Sequence, residues 1–349
     1  MTESFSFYDL TLAVHSASSA LVEEIRRDFS YFHSSQGEPQ VQIQAHLRPP
    51  PYADLPSAPA FRFTLRSVCF VLGTCVYIDY FGQGLAIFDR QTQRCEVFST
   101  DPDRLHEIVY LFMLSTVGQY LRSKGIHRVH ALGVSYAQQG LLILLPSGGG
   151  KSTMAMHLLH RPDFLLLGED TPLVDRSGML LPFPLRLGML PTRQTDIPTA
   201  YVRTMQRMEL PPKMLVDVEY FRGRIAEPVT PRFLFVGQRD LGAVSEIRPL
   251  SRYRAGKALL QDLVAGRGVY QGREFLGKQG QQEWFDKGKV VAARMQTSLR
   301  LLARVFPYRF ILGRDIEKNC QTLLEFLHKK LNELNKSGNK SQHFTRRTE

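Results

Sequence analysis

The sequence predicts a mixed α/β protein, and two observations lead to that class. Short apolar or alternating runs typical of strands recur along the chain, and helical patterns stand between them. The composition is that of a globular protein, since 43% of the 349 residues are hydrophobic and 22% are charged. The length suits two domains or one large α/β unit. No apolar run approaches the ~18 residues of a spanning helix, so we expect no membrane segment.

The N-terminal region, residues 1–125, is predicted to be rich in strands and to close with a buried helix. A loop with five prolines occupies 48–60, and the four short β-like runs after it predict an antiparallel meander. Cap candidates before Pro102 mark the start of the closing helix. The other predicted elements are a strand at FSFYDLTLAVH, a helix over 18–32, a strand at VQIQAHL and the closing helix from about 100 to 123.

A second domain is predicted over 126–334, and a disordered basic tail over 335–349. The run LLILLP is apolar throughout, which is typical of a strand in the centre of a sheet. A hairpin turn is expected at 175–178. The remaining predicted elements are strands at VHALGV (which holds His130), FLLLGED, PRFLFVGQ, SEIRPL and PYRFILG, and helices over 152–160, 252–264, 287–306 and 315–334.

The sharpest chemical motif is a glycine-rich loop between the strand LLILLP and a helix. Glycines let successive backbone N–H groups converge on a phosphate, and the helix N-terminus adds a positive dipole. A lysine placed here contacts the β- and γ-phosphates, and the hydroxyl after it ligates Mg²⁺. We therefore predict that the loop binds a nucleotide. Its residues are Ser147, Gly148, Gly149, Gly150, Lys151, Ser152 and Thr153.

One position departs from the usual form of this motif, which has a further glycine five residues before the glycine of the Gly-Lys pair. Leu145 stands there. The alternative interpretation is a glycine-rich turn with an incidental lysine, because short Gly-Lys-Ser strings arise by chance. The strand before the loop and the helix directly after it favour nucleotide binding.

An acidic pair, Glu169 and Asp170, follows the strand FLLLG seventeen residues after Ser152. A carboxylate at such a strand end can share a Mg²⁺ ion with Ser152, and it can also accept the proton of an attacking hydroxyl. We predict Glu169 or Asp170 as the second metal ligand, and a carboxylate of this pair as a candidate base. A solvated strand end is the alternative. By itself His130 is more often a core residue, and Arg186 fits a surface or core-edge position slightly better than a phosphate ligand.

The order VHALGV, LLILLPSGGGKST, FLLLGEDTPLV and a proline-containing hairpin resembles the C-terminal catalytic domain of HPr kinase/phosphorylase and its relatives, the HPr-kinase-like serine kinases. The similarity covers about 128–187 well and 230–328 weakly. It implies a nucleotide-binding core like that of phosphoenolpyruvate carboxykinase. It also implies ATP with Mg²⁺ as the donor and phosphorylation of a hydroxyl.

The resemblance also implies roles for single residues. Gly148, Gly149, Gly150 and Lys151 match the phosphate loop, Ser152 the metal-ligating hydroxyl, Asp170 the base and His130 the family histidine. Glu169 stands where the family usually has Asp. Thr153 stands where the bifunctional enzyme has Glu, which argues against phosphorylase activity and against HPr as the substrate.

The predicted function is an ATP-dependent kinase whose acceptor is a Ser/Thr hydroxyl of a protein or peptide, or a small-molecule hydroxyl. Two alternatives stay open. Leu145 and Glu169 favour a non-catalytic ATP-binding regulatory or accessory protein of a biosynthetic cluster. The basic segment 252–304, with Tyr253, Tyr270, Phe275, Trp284 and Phe285 among its residues, keeps a nucleic-acid-dependent NTPase as a less favoured third hypothesis.

The formal charge of +11 is concentrated in two places. Residues 252–304 hold eleven Lys/Arg against four Asp/Glu, and the segment from Lys329 onward holds six against two. We predict that this surplus docks an acidic acceptor, with a solvated helical face as the alternative. Both a monomer and a homo-oligomer remain compatible with the sequence.

The four cysteines form no CxxC pair and no metal-binding pattern, which is typical of free thiols in a reducing compartment. The first residues lack the basic and apolar regions of a secretory signal. We therefore expect a cytoplasmic protein.

Overall fold

Two large sheets, one in each half of the chain, organise the molecule. The computed structural model describes residues 1–189, 197–208, 211–242, 244–270, 272, 275 and 281–345; the side chains of 281–286, 335 and 337–345 lie outside the description. Trp284 and Phe285, two of the aromatic residues named for the basic segment 252–304, are among the residues whose side chains lie outside the description. The mixed α/β class expected from the sequence is confirmed.

The first sheet has eight strands: β1 (Thr2–Phe7), β2 (Leu10–Ser16), β3 (Val41–Leu47), β4 (Ala60–Phe63), β5 (Val68–Leu72), β6 (Cys75–Asp79), β7 (Leu85–Asp89) and β8 (Arg94–Ser99). Their order across the sheet is β1-β2-β3-β8-β7-β6-β5-β4. The expected antiparallel meander, β4 to β8, is confirmed. The single strand expected at the start of the chain is wrong: Tyr8 has a φ of 62° and turns the chain back between β1 and β2.

Two helices cover this sheet: α1 (Ser19–Asp28) and α2 (Pro102–Ser123). α1 packs against β2, and α2 packs against β3 and β8. Side chains cap both N-termini, since Ser18 accepts a hydrogen bond from the amide of Leu21, and Asp101 accepts from the amides of Asp103 and Arg104. The buried helix expected at about 100–123 is confirmed. Short 3₁₀ turns occur at Ser30–Phe32 and Tyr52–Asp54.

Among its described residues, the second half contains twelve strands: β9 (His127–Arg128), β10 (Leu132–Tyr136), β11 (Gln139–Leu144), β12 (Phe164–Gly168), β13 (Leu173–Val174), β14 (Leu180–Leu181), β15 (Leu187–Met189), β16 (Val202–Met205), β17 (Lys213–Val216), β18 (Pro231–Arg239), β19 (Glu246–Pro249) and β20 (Phe306–Leu312). Six form one sheet in the order β12-β10-β11-β18-β20-β19, so β11 is central, as expected. Two smaller sheets have the orders β14-β13-β9 and β15-β17-β16.

The strand directions bring two chain segments to the same edge of the six-stranded sheet. β10 is antiparallel to both β11 and β12, so β11 and β12 run in the same direction on either side of it. The carboxyl ends of β11 and β12 therefore lie at one edge. β10 lies between the acidic strand, β12, and the strand before the glycine loop, β11.

The helices of the second half are α3 (Lys151–Leu159), α4 (Arg252–Leu259), α5 (Gln281–Arg304) and α6 (Ile316–Thr345). A π-helical turn, Leu260–Val264, continues α4, and 3₁₀ turns occupy Thr199–Tyr201 and Val218–Arg224. The helix expected to end at 334 continues to Thr345 and includes 335–345, where disorder was expected. Extending an existing helix adds one hydrogen bond per residue without a new nucleation step.

Two further expectations concern single features. The sequence predicts that His130 lies within a strand. In the structure it lies in the connection between β9 and β10. The four cysteines are free thiols, as expected. Within the described part of the chain, no helix has both the length and the apolar character needed to cross a bilayer.

A buried carboxylate joins the two halves of the chain. Asp28, the last residue of α1, is fully buried and accepts hydrogen bonds from His106 Nε2 at 2.8 Å, from Arg186 Nη1 at 2.5 Å and from Arg203. Burial by itself raises the pKa of Asp28, but Arg186, His106 and Arg203 lower it below its ordinary value. Asp28 is therefore an ionised group that holds two cations of the second half against α1.

We expect Asp28→Asn to lower the free energy of unfolding by about 3–5 kcal/mol, because Arg186 and Arg203 keep their charges but lose their buried carboxylate. Urea unfolding at neutral pH measures this loss. Glu23→Gln on the same helix is the matched control, since Glu23 pairs with the exposed Arg26 and its loss costs less than about 1 kcal/mol.

The difference between wild type and Asp28→Asn also depends on pH. A carboxyl whose pKa is lowered on folding stabilises the protein above its unfolded pKa of about 3.9 and loses that contribution as the pH falls below it. Wild type and Asp28→Asn therefore approach the same free energy of unfolding only at acidic pH, below about 3.9. A loss in Asp28→Asn no larger than in Glu23→Gln would contradict this role.

Candidate active site

The glycine-rich loop connects the end of β11 to the start of α3, and its backbone requires glycine. Gly148 and Gly150 have φ angles of +74° and +98°, which side chains disfavour. At Gly149 an added Cβ would lie 2.8 Å from the carbonyl oxygen of Pro146. Each of the three glycines is therefore needed for the turn that carries the chain into α3. Ser147 is exposed within the loop, and Thr153 is half-buried in the first turn of α3.

Leu145 packs in the hydrophobic core and is not part of the glycine turn. Its side chain is 2% exposed and packs over Gly237 of β18, where an added Cβ would lie 2.3 Å from Leu145 Cδ2. Because Leu145 precedes the tight part of the loop, the missing first glycine changes the packing under the loop and leaves the turn at 148–150 intact.

Lys151 is a buried cation at the start of α3. It is 5% exposed, and its Nζ donates to the carbonyl oxygens of Leu145 at 2.9 Å and Pro146 at 3.3 Å. The same nitrogen lies 3.4 Å from Asp170 Oδ1 and 2.8 Å from His130 Nε2. The lysine is thus held at the loop by groups that a phosphate could replace.

The two members of the acidic pair face different partners. Ser152 Oγ donates to Glu169 Oε1 at 2.6 Å, and Glu169 is 8% exposed. Burial, followed by the negative charge of Asp170, raises the pKa of Glu169 to about 7. Glu169 therefore lies on the hydroxyl side of the loop.

Asp170 lies on the lysine side, and half of its side chain is exposed. Its Oδ1 is 3.2 Å from His130 Nε2. Burial acts to raise the pKa of Asp170, but the hydrogen bond from His130 and the charge of Lys151 lower it overall. Asp170 is therefore an ionised carboxylate with a face open to solvent, as a base for an incoming hydroxyl needs.

His130 is buried between two carboxylates. Asp170 contacts Nε2, and Asp262 Oδ1 lies 3.8 Å from Nδ1. Asp170 and then Asp262 raise the pKa of His130 to about 9, against burial and the charge of Lys151. Gly268, with φ +78°, packs against the ring, because a Cβ there would lie 2.6 Å from it.

The contact between Lys151 and His130 depends on protonation. At 2.8 Å the ammonium donates to a neutral imidazole, whereas an imidazolium in the same place would repel it. With the pKa of His130 raised to about 9, the imidazolium predominates at neutral pH.

The residues fit a magnesium ion. Ser152 and Glu169 offer a hydroxyl and a carboxylate 2.6 Å apart beside the glycine turn. Among the described residues, no group of three or more His, Cys, Asp or Glu side chains could hold a metal. Mg²⁺ is commonly bound by one or two protein oxygens together with substrate phosphates and water, so this small donor set suits it.

A cavity of about 210 Å³ opens beside Glu169 and Asp170. Tyr110 of α2 and Arg186 form part of its wall. Arg186 pairs with Asp28 and stacks 3.8 Å from the centre of the Tyr110 ring, so the core-edge position favoured by the sequence also borders the candidate site. Further cationic side chains line the cavity: Arg128, Arg207 and Lys213.

The structure brings together five of the residues singled out in the sequence: His130, Lys151, Ser152, Glu169 and Asp170. Nothing in the sequence reasoning pointed to Asp262, to Gly268 or to three of the cavity cations: Arg128, Arg207 and Lys213. Asp262 and Gly268 lie far along the chain from His130, and no local motif marks them. The two glycines of Gly266-Arg267-Gly268 are a weak sequence signal that the backbone here packs closely against another group.

No protein-family model matches this chain, and a search of the curated proteins gives no match either.

We expect NMR of the histidine ring protons to give a midpoint of about 9 for His130. Asp262→Asn removes one of its two carboxylates and lowers that midpoint toward the ordinary value of about 6.5. His127 is an internal reference, since burial and the charge of Arg294 lower its pKa to about 4. A wild-type His130 midpoint at or below 6.5, or no change in Asp262→Asn, would contradict the assigned contacts.

Proposed function

We propose that this protein is an ATP-dependent kinase that transfers the γ-phosphate of ATP to a hydroxyl. The observation that carries the proposal is the junction of the glycine turn with the acidic strand end. There Ser152 contacts Glu169, and Lys151 contacts Asp170. The proposed phosphate loop, the proposed metal-ligating pair Ser152 and Glu169, and the solvent-accessible carboxylate of Asp170 then lie next to one another.

The proposed fold of the core is the phosphoenolpyruvate-carboxykinase-like nucleotide-binding core implied by the resemblance to HPr-kinase-like serine kinases. The succession of the β10–β11 hairpin, the glycine loop, α3 and β12 supports it. The carboxyl ends of β11 and β12 at one sheet edge support it as well.

The loop holds the phosphates of ATP through backbone N–H groups of 148–152, the N-terminus of α3 and the ammonium of Lys151. Lys151 exchanges the carbonyl oxygens of Leu145 and Pro146 for phosphate oxygens. Ser152 and Glu169 hold Mg²⁺. When bound, this ion neutralises the charge of the β- and γ-phosphates and orients them for in-line displacement.

The transfer step uses Asp170 as the base. The acceptor hydroxyl loses its proton to Asp170, and its oxygen forms a bond to the γ-phosphorus. The bond from that phosphorus to the β–γ bridging oxygen breaks, and the electron pair leaves with ADP. His130 does not take the proton at neutral pH. As an imidazolium it keeps Asp170 ionised and oriented toward the acceptor.

Lys151→Ala removes the cation of the phosphate loop. We expect a loss of turnover of about 10²–10³-fold, the size usual for one charged group that stabilises a transition state. Coupled-assay measurement of ADP release with wild type and variant gives the ratio. Lys318→Ala, which changes an exposed lysine of α6, is the matched control and should retain full activity. Wild-type activity in Lys151→Ala would remove the proposal.

Asp170→Asn and Glu169→Gln should fail in different ways. Asp170→Asn keeps ATP binding and loses transfer by about 10²–10⁴-fold, because it removes the base. Glu169→Gln retains the base and raises the Mg²⁺ concentration needed for half-maximal activity, because the uncharged amide binds Mg²⁺ more weakly than the carboxylate does. Calorimetric ATP binding and activity at varied Mg²⁺ separate the two effects.

Identical behaviour of the two variants would contradict the division of roles within the acidic pair. ATP binding by the wild type without transfer to any acceptor would instead favour the alternative, a non-catalytic ATP-binding regulatory or accessory protein.

A further inference from the structure

The cavity beside Asp170 has unusual electrostatics. Its wall carries four cationic side chains, Arg128, Arg186, Arg207 and Lys213, next to two carboxylates that already have partners. Arg186 is balanced by Asp28. Within the described part of the chain, the other three form no ion pair with a carboxylate. The cavity therefore holds more positive charge than its own residues neutralise.

Close packing against glycine holds two of these cations in place. The guanidinium of Arg128 crosses Gly118 of α2, where an added Cβ would lie 2.3 Å from Nη2, and this nitrogen donates to the carbonyl of Tyr270 at 2.9 Å. Lys213 crosses Gly188 of β15, where a Cβ would lie 1.9 Å from Cε. Neither glycine leaves room for a side chain, so both cations are held along the wall of the cavity.

Arg128 remains charged although it is largely enclosed. Burial lowers its pKa to about 10, which still leaves the guanidinium protonated at neutral pH. Enclosing a cation without a counter-ion is costly, and proteins offset that cost with a bound or built-in anion. Glu107 acts on Arg207, and Glu169 and Asp170 act on Lys213, at longer range than an ion pair. Among the described residues, no carboxylate lies within ion-pair distance of Arg128, Arg207 or Lys213. A ligand is therefore the natural source of a directly contacting negative charge.

We propose that the cavity binds the anionic group of a small hydroxyl-bearing acceptor, a carboxylate or a phosphate ester, and directs its hydroxyl to Asp170. This rests on the proposed kinase function and specifies its acceptor class. The ligand's anion contacts Arg207 and Lys213, while the bond changes at its hydroxyl are those given above, with the proton passing to Asp170 and ADP leaving.

The size of the cavity favours a small molecule over a protein segment. At about 210 Å³ the cavity is smaller than the roughly 300–1,000 Å³ of pockets for drug-sized ligands, which suits a compact hydroxy acid. The walls are contributed by α2 and by the strands β15, β16 and β17, together with Gly268 and Tyr270. All four cations lie outside 252–304, so the predicted docking of an acidic acceptor by that basic segment is not needed for recognition.

A matched pair of probes tests the proposal: glycerate, which has a carboxylate, and glycerol, which has the same carbon skeleton without it. Calorimetry without nucleotide measures binding of each to wild type, Arg207→Gln and Lys213→Gln. We expect glycerate to bind and glycerol not to bind. We also expect about a tenfold or greater loss of glycerate affinity in either variant, the size of a lost charge-assisted contact.

Three controls make the result specific. Lys213→Arg retains the charge and should retain most of the affinity. Arg222→Gln changes an exposed arginine paired with Glu219 and should bind glycerate normally. Lys318→Ala, which changes an exposed lysine of α6, should also bind glycerate normally.

The outcomes distinguish this inference from the kinase proposal. Equal binding of glycerol and glycerate, no loss in Arg207→Gln and Lys213→Gln, or phosphorylation of an acidic serine peptide that these variants leave unchanged would each overturn the small-anion cavity. Glycerate binding that depends on Arg207 and Lys213, in a protein that never turns over ATP, would support the anion site and contradict the kinase.

Discussion

A 2.6 Å hydrogen bond from Ser152 to Glu169 sets the geometry of the candidate site. It ties the first turn of α3 to the end of β12, so the glycine turn and the acidic pair keep a fixed separation. Strand direction makes the contact feasible, since β11 and β12 end at the same edge of the sheet with β10 between them. Lys151, Asp170 and His130 take their positions around this junction.

Buried charge is distributed unevenly around that junction. Asp28 gathers His106, Arg186 and Arg203 and attaches α1 to the second half of the chain. Asp170 is shared by Lys151 and His130. Three cavity cations, Arg128, Arg207 and Lys213, lie by contrast beyond ion-pair distance of any carboxylate among the described residues. Structural charges are thus paired within the protein, and we propose that the cations near the open face of Asp170 serve a ligand.

The local elements of the site followed from the sequence because each has a local cause. Glycine at 148–150, the apolar run before it and the helix after it mark a strand–loop–helix unit within a few residues. A pairing of Ser152 with one of the two acidic residues was also predicted, because an acidic residue at such a strand end is the expected partner of that hydroxyl. The sequence left the choice between Glu169 and Asp170 open, and the structure pairs Ser152 with Glu169. The position of β10 between the two strands was not predicted, since strand order is a long-range property.

The remaining parts of the site depend on contacts between distant residues. Asp262 reaches His130 from a π-helical turn, and Gly268 packs on the same ring. Arg186 was assigned to the core edge correctly, but Asp28, its partner, is 158 positions away. The first hairpin was missed because Tyr8 adopts a positive φ without the glycine or asparagine that usually marks such a turn. None of these carries a local pattern.

The most direct test of the central claim is a crystal structure of the protein with Mg²⁺ and a non-hydrolysable ATP analogue. We expect the β- and γ-phosphates to contact the backbone of 148–150. We also expect Lys151 to leave the carbonyl oxygens of Leu145 and Pro146 for the phosphates, and the metal to bind between Ser152 and Glu169. A nucleotide bound elsewhere, or a Lys151 that keeps its carbonyl contacts beside the bound phosphates, would contradict the central claim.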